Sequence, residues 1–252
     1  MTKHDIIYVL RNGYQGDELR YSIRSVVQNL PYKRIVFVGG TPDGLRPDIG
    51  ISHQQIGSTK WARSMSSLRE ALKCDKLTED VWLFNDDFFV MDRVREDINY
   101  FNGTLEKRVI DLKRANPKGS IYARNLDKLR VTLLSSGRDA LSFALHVPFL
   151  INRKAALDLF DSGADLQMFR SYYGNYYQIP CRYMSDVKVY DLQTIPDTPF
   201  ISTSDSAFSL GKVGEFLRKY FNKPSRYEID SPDDIRIMVH ERYDEDGGER
   251  YE

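Results

Sequence analysis

The sequence predicts an α/β domain with a mostly parallel central sheet flanked by helices. Two observations lead to this prediction. Near the start of the chain, a helical pattern lies between two strand-like runs, at Asp5–Arg11 and Arg34–Val38. A strand–helix–strand unit almost always has parallel strands and a right-handed crossover. A second helical pattern and a third apolar run, Val81–Val90, continue the alternation, which is typical of α/β proteins.

The first unit is defined by its apolar residues and by the residues that interrupt them. Asp5–Arg11, DIIYVLR, is short, apolar and contains β-branched side chains, as buried strands do. A glycine-containing loop follows, and Asp17 is placed to cap a helix that runs to about Asn29. Apolar positions recur along this helix at helical spacing, namely Leu19, Ile23, Val26 and Val27. Pro31 ends the helix, and Arg34–Val38, RIVFV, is the second strand.

The segment that follows is a long turn-rich connection. Thr41–Gly57 contains several prolines and glycines and is predicted to be a loop with a short strand near Ile49–Ser52. Ser58 or Thr59 can cap the second helix. The apolar positions of that helix are again one turn apart, namely Trp61, Met65, Leu68 and Leu72. The third strand-like run, Val81–Val90, then ends the part of the chain in which the pattern is regular.

The second half of the chain is less regular. Ile121–Arg124 is predicted to be an edge strand, and the apolar run Leu141–Leu150 is predicted to be a further strand. A helix is expected around Lys154–Phe160. Phe200–Asp205 is interpreted as a polar loop, after which a helix is expected to run from about Ser206 to about residue 221.

Composition places the chain among ordinary globular proteins. Hydrophobic residues make up 41% and charged residues 29%, and 36 basic residues balance 36 acidic ones. The balanced charge gives no broad attraction to nucleic acid. Cys74 and Cys181 are too few for a disulfide framework or a zinc ribbon and suit buried thiols in a reducing cytosol.

The chain is interpreted as one domain with a tail. No secretory signal follows Met1, and no apolar run reaches the roughly 20 residues that a membrane helix needs. We therefore expect a cytoplasmic protein without a transmembrane segment. A single domain is expected over residues 1–225, followed by an extension at 226–252 whose acidic end is expected to fray.

Polar residues or glycine lie at the ends of the first two strand-like runs and inside the third. Arg11 and Asn12 belong to the end of the first, Gly39 follows the second, and Asp86 and Asp87 interrupt the third. Because ligands of open α/β sheets bind beyond the carboxyl ends of the strands, we expect these residues to converge on one crevice. Arg11, Asn12, Gly39 and Asp86 are therefore candidates for contact with a nucleotide.

Two adjacent carboxylates inside an apolar run need a physical explanation. Ionised Asp86 and Asp87 repel each other, and burying them unpaired costs on the order of several kcal/mol. A divalent cation removes that cost, and Mg²⁺ or Mn²⁺ prefers oxygen ligands and keeps waters or substrate phosphates in its shell. The functional interpretation is a metal site that binds a diphosphate, with Asp87 as direct ligand and Asp86 in support. The alternative is a turn, or the cap of a helix that begins near Phe88.

The segments DELRYSIRS, at Asp17–Ser25, and FNDDFF, at Phe84–Phe89, lie about 60 residues apart. Both resemble segments of the Stealth family of bacterial capsule sugar-phosphate transferases, over a match that covers about residues 5–95. The chain departs from the family where YVLRNG stands in place of VYTWVDG. The resemblance implies a GT-A-like nucleotide-sugar transferase fold, in which residues 1–95 bind the nucleotide sugar and residues 96–225 hold the acceptor.

Basic residues and histidines supply further candidates. Lys60 and Arg63 open the second helix, and a helix N-terminus with basic side chains suits a phosphate; the alternative is a solvated helix face. His146 and His240 are candidates for completing the metal shell, as a late histidine does across GT-A enzymes. A satisfied core histidine is the alternative for His146.

Two carboxylates in the second half are candidates for a catalytic general base. Asp186 and Asp205 could each take the proton of an acceptor hydroxyl if they lie within hydrogen-bond reach of it. Asp205, in the segment STSDSAF, can instead cap the helix that follows. The sequence leaves the stereochemistry of the transfer open.

The leading hypothesis is a metal-dependent glycosyltransferase. It would move a sugar from a nucleotide-diphosphate sugar, expected to be a UDP-sugar, to a hydroxyl of a glycan, with Mn²⁺ or Mg²⁺ as cofactor. The alternatives are a Stealth-like sugar-1-phosphate transferase, a phage-type enzyme that glycosylates a modified DNA base, and a non-catalytic nucleotide- or sugar-binding module. The neutral net charge disfavours DNA, because phosphate contacts supply most of a protein's affinity for it.

Overall fold

The computed structural model describes residues 1–229. The strands are β1 (His4–Leu10), β2 (Tyr32–Gly39), β3 (Ile49–Ile51), β4 (Asp80–Phe84), β5 (Phe88–Val90), β6 (Asn99–Phe101), β7 (Phe149–Asn152), β8 (Cys181–Tyr183), β9 (Lys188–Val189) and β10 (Phe200–Thr203). The helices are α1 (Glu18–Asn29), α2 (Lys60–Leu72), α3 (Leu105–Ala115), α4 (Ile121–Ser135), α5 (Arg153–Asp161), α6 (Phe169–Tyr176), α7 (Asp205–Leu210) and α8 (Lys212–Tyr220).

The central sheet has five strands in the order β3-β2-β1-β4-β7. β1 pairs in parallel with both β2 and β4, β2 pairs in parallel with β3, and β7 alone runs antiparallel to its neighbour β4. The predicted α/β class with a mostly parallel central sheet is confirmed. The chain builds outward from β1 to β3 and then returns to the other side of β1 with β4, so the topological switch point lies between β1 and β4.

Both faces of this sheet are covered, which explains why β1 is apolar almost throughout. Successive side chains of a strand point to opposite faces, so Ile6, Tyr8 and Leu10 pack in the cluster that contains α1. Ile7 lies on the other face, in the cluster formed with α2, α5 and α6. β7, from the second half of the chain, completes the sheet that β1 to β4 begin, so the two halves share one sheet.

The run Val81–Val90 is two strands in two different sheets. β4 ends at Phe84 in the central sheet, whereas β5 begins at Phe88 and pairs antiparallel with β10 in a three-stranded sheet of order β5-β10-β9. Asp86 and Asp87 form the turn between them. Both strands are buried, so apolar residues continue on either side of the turn and hide the break from the sequence pattern.

Two elements of the second half were predicted wrongly. Ile121–Arg124 is not an edge strand but the first turn of α4, which Ser120 caps by accepting a hydrogen bond from the Ala123 N–H at 3.1 Å. Phe200–Asp205 is not a polar loop, because Phe200–Thr203 is the fully buried strand β10. Its hydroxyl side chains are satisfied by hydrogen bonds inside the protein, as described below for the site.

Other boundaries are corrected in detail. Only the end of the predicted Leu141–Leu150 strand is extended, as β7. The expected helix from about residue 206 to 221 is divided at Gly211 into α7 and α8. Thr59 caps α2 as expected, whereas Asp17 occupies the cap position of α1 without a side-chain cap bond. Within residues 1–229, none of the helices combines the length and apolar character needed to cross a membrane.

Candidate active site

The Asn85–Asp87 turn lies at the switch point of the central sheet. It follows β4 directly, and Phe84 at the end of β4 is in register with Tyr8 of β1. Asn85 is exposed, Asp86 is half-buried and Asp87 is 8% exposed. The carboxylates therefore lie beyond the carboxyl ends of the two strands between which doubly wound proteins bind their ligands.

Asp87 is held in a buried ion pair. One of its oxygens, Oδ2, accepts hydrogen bonds from the Lys188 ammonium and from the Ser202 hydroxyl, the latter at 2.7 Å. Lys188 also donates to the Thr203 carbonyl. The Asp87 and Lys188 side chains are only 11% and 13% exposed. Among the residues that the structure describes, no hydrogen bond reaches the other oxygen, Oδ1.

Asp86 is in a different environment. Burial raises the pKa of the Asp86 carboxyl above its usual range; the Tyr14 hydroxyl works against this shift, and the negative charge of Asp87 adds to it. Burial and the Asp86 charge likewise raise the pKa of Tyr14. The Asp86 carboxylate therefore has no cationic partner of its own: within residues 1–229, the ion pair of the turn is made by Asp87 and Lys188.

A third carboxylate, Glu18, faces the same region. Its Oε1 accepts a hydrogen bond from the Thr203 hydroxyl at 2.9 Å. Burial raises the pKa of Glu18 to about 7, against the effect of the Thr203 hydrogen bond and with added contributions from the charges of Asp86, Asp87 and Asp205. One acidic region therefore lies where β4 ends and where α1 and α7 begin. It contains the carboxylates of Glu18, Asp86, Asp87 and Asp205.

The carboxylates fit a divalent cation that shares its shell with a phosphate. No group of three or more His, Cys, Asp or Glu side chains is arranged to hold a metal ion in residues 1–229. Mg²⁺ needs only one or two carboxylates when waters and substrate phosphates fill its remaining positions. Asp86 and the open Oδ1 of Asp87 satisfy that requirement. Of the two predicted histidine ligands, His146 has its Nδ1 bonded to Asp186, and His240 lies outside the described residues.

Arg170, on α6, adds a positive charge that the sequence did not reveal. Its guanidinium carbon lies 5.3 Å from the centre of the Phe88 ring and 5.7 Å from that of Phe149. Burial lowers the pKa of Arg170 to about 10, and the nearby Asp87 charge opposes that shift. An arginine always carries charge at neutral pH and presents a planar fork that suits phosphate oxygens. Arg170 also lines a cavity together with Asn85.

This cavity opens beside the turn, between α2 and α6. It has a volume of about 230 Å³, and its lining includes Asn85, Arg170, Trp61, Tyr122 and Gln167. The volume is below the roughly 300–1,000 Å³ of pockets that enclose a whole drug-sized ligand. It would therefore take one ring of a larger ligand, with the rest lying in the crevice outside.

His146 and Asp186 form a hydrogen-bonded pair next to this cavity. The Nδ1 atom of His146 lies 2.9 Å from Oδ1 and 3.0 Å from Oδ2 of Asp186. Arg170 holds the same loop, because its NH1 group donates to the carbonyls of Leu145 and Val147, at 3.0 and 2.7 Å. A carboxylate on Nδ1 fixes the imidazole tautomer and leaves Nε2 as the basic nitrogen.

The two predicted general bases therefore have different surroundings. Burial works to raise the pKa of Asp186, but the hydrogen bonds and charge of His146 outweigh it and lower that pKa. Asp186 is thus suited to orienting His146 rather than to taking a proton itself. Asp205 is exposed as the first residue of α7, and Ser204, not Asp205, caps that helix.

The predicted nucleotide residues after β1 and β2 lie together. Arg11 and Asn12 are exposed, and Gln55 joins their loop to β1 by accepting from the Asn12 N–H at 3.3 Å and donating to the Leu10 carbonyl at 3.0 Å. Gly39 has φ +96°, and a Cβ there would overlap the Leu10 carbonyl oxygen. The missing side chain of Gly39 therefore lets β2 close onto the end of β1.

Lys60 and Arg63 lie in the first turn of α2, and both are exposed. The Lys60 ammonium lies 5.2 Å from the centre of the Trp61 ring, and Trp61 lines the cavity. Lys60 therefore lies near the cavity rim, whereas Arg63 is not among the residues that line the cavity.

The fold and site define an α/β protein with charged side chains at its topological switch point, the place where doubly wound folds bind their ligands. No protein-family model matches the chain, and no curated protein matches it. The likeness of its motifs to the Stealth family therefore stays a prediction.

The solved structures that are similar to the chain include two of one glycosyltransferase. The apo form of glycosyltransferase GlyE from Streptococcus pneumoniae TIGR4 has a TM-score of 0.37 and 10% identity, and a second structure of GlyE has 0.36 and 11%. Each alignment covers 97% of this chain and 64% of the GlyE chain, so the chain spans less than two thirds of that protein. At this similarity, a function for the chain must be argued from its own side chains.

Proposed function

We propose that the chain is a glycosyltransferase that uses a nucleotide-diphosphate sugar. The observation that supports this most directly is the pairing of carboxylates and cations at the switch point: Asp86 and Asp87 lie in the turn after β4, Lys188 contacts Asp87, and the Arg170 charge acts on Asp87 as well. A diphosphate is bound through this combination, because basic groups contact its oxygens directly and carboxylates contact it through a metal ion.

Each part of the crevice has a role in this proposal. Asp86 and Oδ1 of Asp87 would hold Mn²⁺ or Mg²⁺, which when bound supplies positive charge to the departing diphosphate. Arg170 contacts the phosphates from the cavity side and keeps them in line with the acceptor. Lys60 and Arg63, in the first turn of α2, would bind the outer part of the donor, and Arg11 and Asn12 would border the nucleotide.

The proton of the acceptor goes to His146. The acceptor oxygen attacks the anomeric carbon, the bond from that carbon to the diphosphate oxygen breaks, and the electron pair leaves with the nucleoside diphosphate. The hydroxyl proton is taken by Nε2 of His146, whose Nδ1 is fixed by Asp186. A positioned base of this kind typically contributes about 10²–10⁴ in rate.

The second candidate, sugar-1-phosphate transfer, is favoured by one specific observation. Both sequence segments that resemble the Stealth family, Asp17–Ser25 and Phe84–Phe89, reach this site: Glu18 faces the acidic region and Asp86 lies in the turn. In that reaction the acceptor attacks the β-phosphorus and a nucleoside monophosphate leaves. The released nucleotide therefore distinguishes the two reactions.

A thermal-shift screen of nucleotide sugars with and without Mn²⁺ tests the proposal. A ligand that binds only the folded state raises its stability by roughly 2.7 kcal/mol at a hundredfold excess over Kd. We expect one nucleotide sugar to raise Tm with Mn²⁺, and Asp86→Asn to abolish that rise. Asp75→Asn is the matched control, because Asp75 is exposed near the opposite end of β4.

The outcome of the screen also separates the other hypotheses. No Tm rise with any nucleotide sugar would contradict the proposal. Binding without turnover in the presence of glycan acceptors would indicate a non-catalytic module. Steeply salt-dependent binding to duplex DNA would favour a modified base as acceptor. Release of nucleoside monophosphate in place of diphosphate would replace glycosyl transfer by sugar-1-phosphate transfer.

A further inference from the structure

Lys188 is in direct contact with Asp87, and the fold holds it in place. It lies on β9, and its ammonium donates to Oδ2 of Asp87 and to the carbonyl of Thr203 on β10. β9 and β10 pair in parallel at Ser202 and Thr203, so the backbone itself holds Lys188 in place. The side chain is 13% exposed, so bulk water screens this contact little.

Two cations held by the protein already lie near the carboxylates of the turn before any ligand binds. Asp86 and Asp87 carry the negative charges, and Lys188 and Arg170 carry the positive ones. A divalent cation entering this site alone would meet the repulsion of two fixed cations, and Asp87 would offer it only Oδ1. A nucleotide diphosphate adds negative charge and phosphate oxygens, which are the ligands that Mg²⁺ and Mn²⁺ need to complete their shell.

We propose that Lys188 is the resident counter-ion of Asp87 and makes binding of a divalent cation depend on the nucleotide diphosphate. This inference rests on the proposed nucleotide-sugar site and adds the order in which the nucleotide and the metal ion bind to it. The free protein holds the Asp87–Lys188 pair and binds a divalent cation weakly. With the diphosphate bound, Asp86 and Asp87 would hold the cation together with the phosphate oxygens, which would supply the charge and the ligands that the free site lacks.

Mn²⁺ binding, followed by the loss of the electron paramagnetic resonance signal of free Mn²⁺, tests this role. For the wild-type protein we expect weak binding of Mn²⁺ alone and at least tenfold tighter binding in the presence of UDP. Lys188→Met removes the charge at nearly constant length, and we expect it to tighten the binding of Mn²⁺ alone at least tenfold. Lys188→Arg keeps the charge and should leave that binding weak.

Two controls separate charge from folding. Lys212→Met removes an exposed lysine of α8 and should not change Mn²⁺ binding. The double variant Lys188→Met with Asp87→Asn removes both charges of the ion pair. We expect it to lose the tighter Mn²⁺ binding of Lys188→Met, because the Asp87 carboxylate is gone. Circular dichroism of each variant shows whether it is folded at the temperature of the binding measurement.

Tight binding of Mn²⁺ to the wild-type protein without nucleotide would overturn the inference, whether or not Lys188→Met folds. An unchanged Mn²⁺ affinity in folded Lys188→Met would also overturn it. The variant comparison uses Mn²⁺ alone, so its result does not depend on whether any nucleotide sugar binds. A failure of the nucleotide-sugar proposal appears in the thermal-shift screen and is therefore distinguishable from a failure of this inference.

Discussion

Nδ1 of His146 lies 2.9 Å from Oδ1 of Asp186, and this contact joins two residues that are 40 positions apart in the chain. Burial raises the pKa of Tyr122, which lines the cavity beside the Asn85–Asp87 turn, and the negative charge of Asp186 adds to this shift. The candidate base is therefore held by a carboxylate that also acts on a residue of the cavity.

Substitutions in the pair should affect turnover more than donor binding. His146→Gln removes the base, and we expect kcat to fall about 10²–10⁴-fold with little change in KM for the nucleotide sugar. Asp186→Asn keeps the base but loses its fixed orientation, so we expect a smaller fall in kcat. Steady-state kinetics between pH 5 and 9 check both results; an equal rise in KM for both variants would indicate a merely structural pair.

Asp86 and Asp87 should differ in their effect on stability although they are neighbours. Asp87→Asn leaves the ammonium of Lys188 buried without its partner, and we expect the free energy of unfolding to fall by about 3 kcal/mol. Asp86→Asn removes a charge that burial and Asp87 disfavour, so the free energy of unfolding should stay the same or rise slightly. Urea denaturation at pH 7 measures both. Equal destabilisation by the two substitutions would contradict the environments described for them.

The part of the site that the sequence predicts is the part built from local patterns. Strand β1, the glycine at the end of β2, the apolar faces of α1 and α2 and the Thr59 cap of α2 all follow from residues close together in the chain. Asp86 and Asp87 stand out because two carboxylates interrupt an apolar run. The break between β4 and β5 is not predictable in the same way, because both strands are buried and no glycine or proline marks the turn.

Residues whose role depends on distant partners gave no such signal. Lys188 is 101 positions from Asp87, and Ser202 is 115 positions from it. The serine and threonine of β10 made that strand look like a loop, although their hydroxyls bond Asp87 and Glu18 inside the protein. Arg170 had no recognisable motif around it; a lone arginine in the aromatic segment FRSYYGNYY was the one available hint.

Gly39→Ala tests whether the close contact between β1 and β2 needs a glycine. At φ +96° a side chain is strained, and the new Cβ would overlap the Leu10 carbonyl oxygen. Gly119→Ala is the matched control, because Gly119 has φ +73° but open space around its Cβ position. We expect Gly119→Ala to cost about 1 kcal/mol, from backbone strain alone, and Gly39→Ala to cost at least twice as much. Chemical denaturation checks the difference; equal costs would show that the overlap relaxes freely.

Glu228 links the last described segment of the chain to α1, and it should make stability depend on pH. Its carboxylate accepts hydrogen bonds from Arg20 at 3.1 Å and from Arg24 at 2.6 and 2.8 Å. Burial works to raise the pKa of Glu228, but the bonds from Arg24, the Ser225 N–H and Arg20 outweigh it and lower that pKa to about 2. Both arginines of the segment that resembles the Stealth family are thereby engaged in a structural contact.

A carboxyl whose pKa is lower in the folded than in the unfolded state stabilises the fold above the unfolded pKa, which is about 4.3 for glutamate. That stabilisation is lost as the pH falls from there toward 2. Glu228→Gln should therefore lower the free energy of unfolding by roughly 3 kcal/mol at pH 7, and the difference from the wild-type protein should shrink between about pH 5 and pH 2. Glu106→Gln, an exposed site on α3, should show no comparable loss. Urea denaturation across this pH range measures the difference in free energy of unfolding. A difference that does not change with pH would mean that Glu228 stabilises the fold through packing and not through its charge.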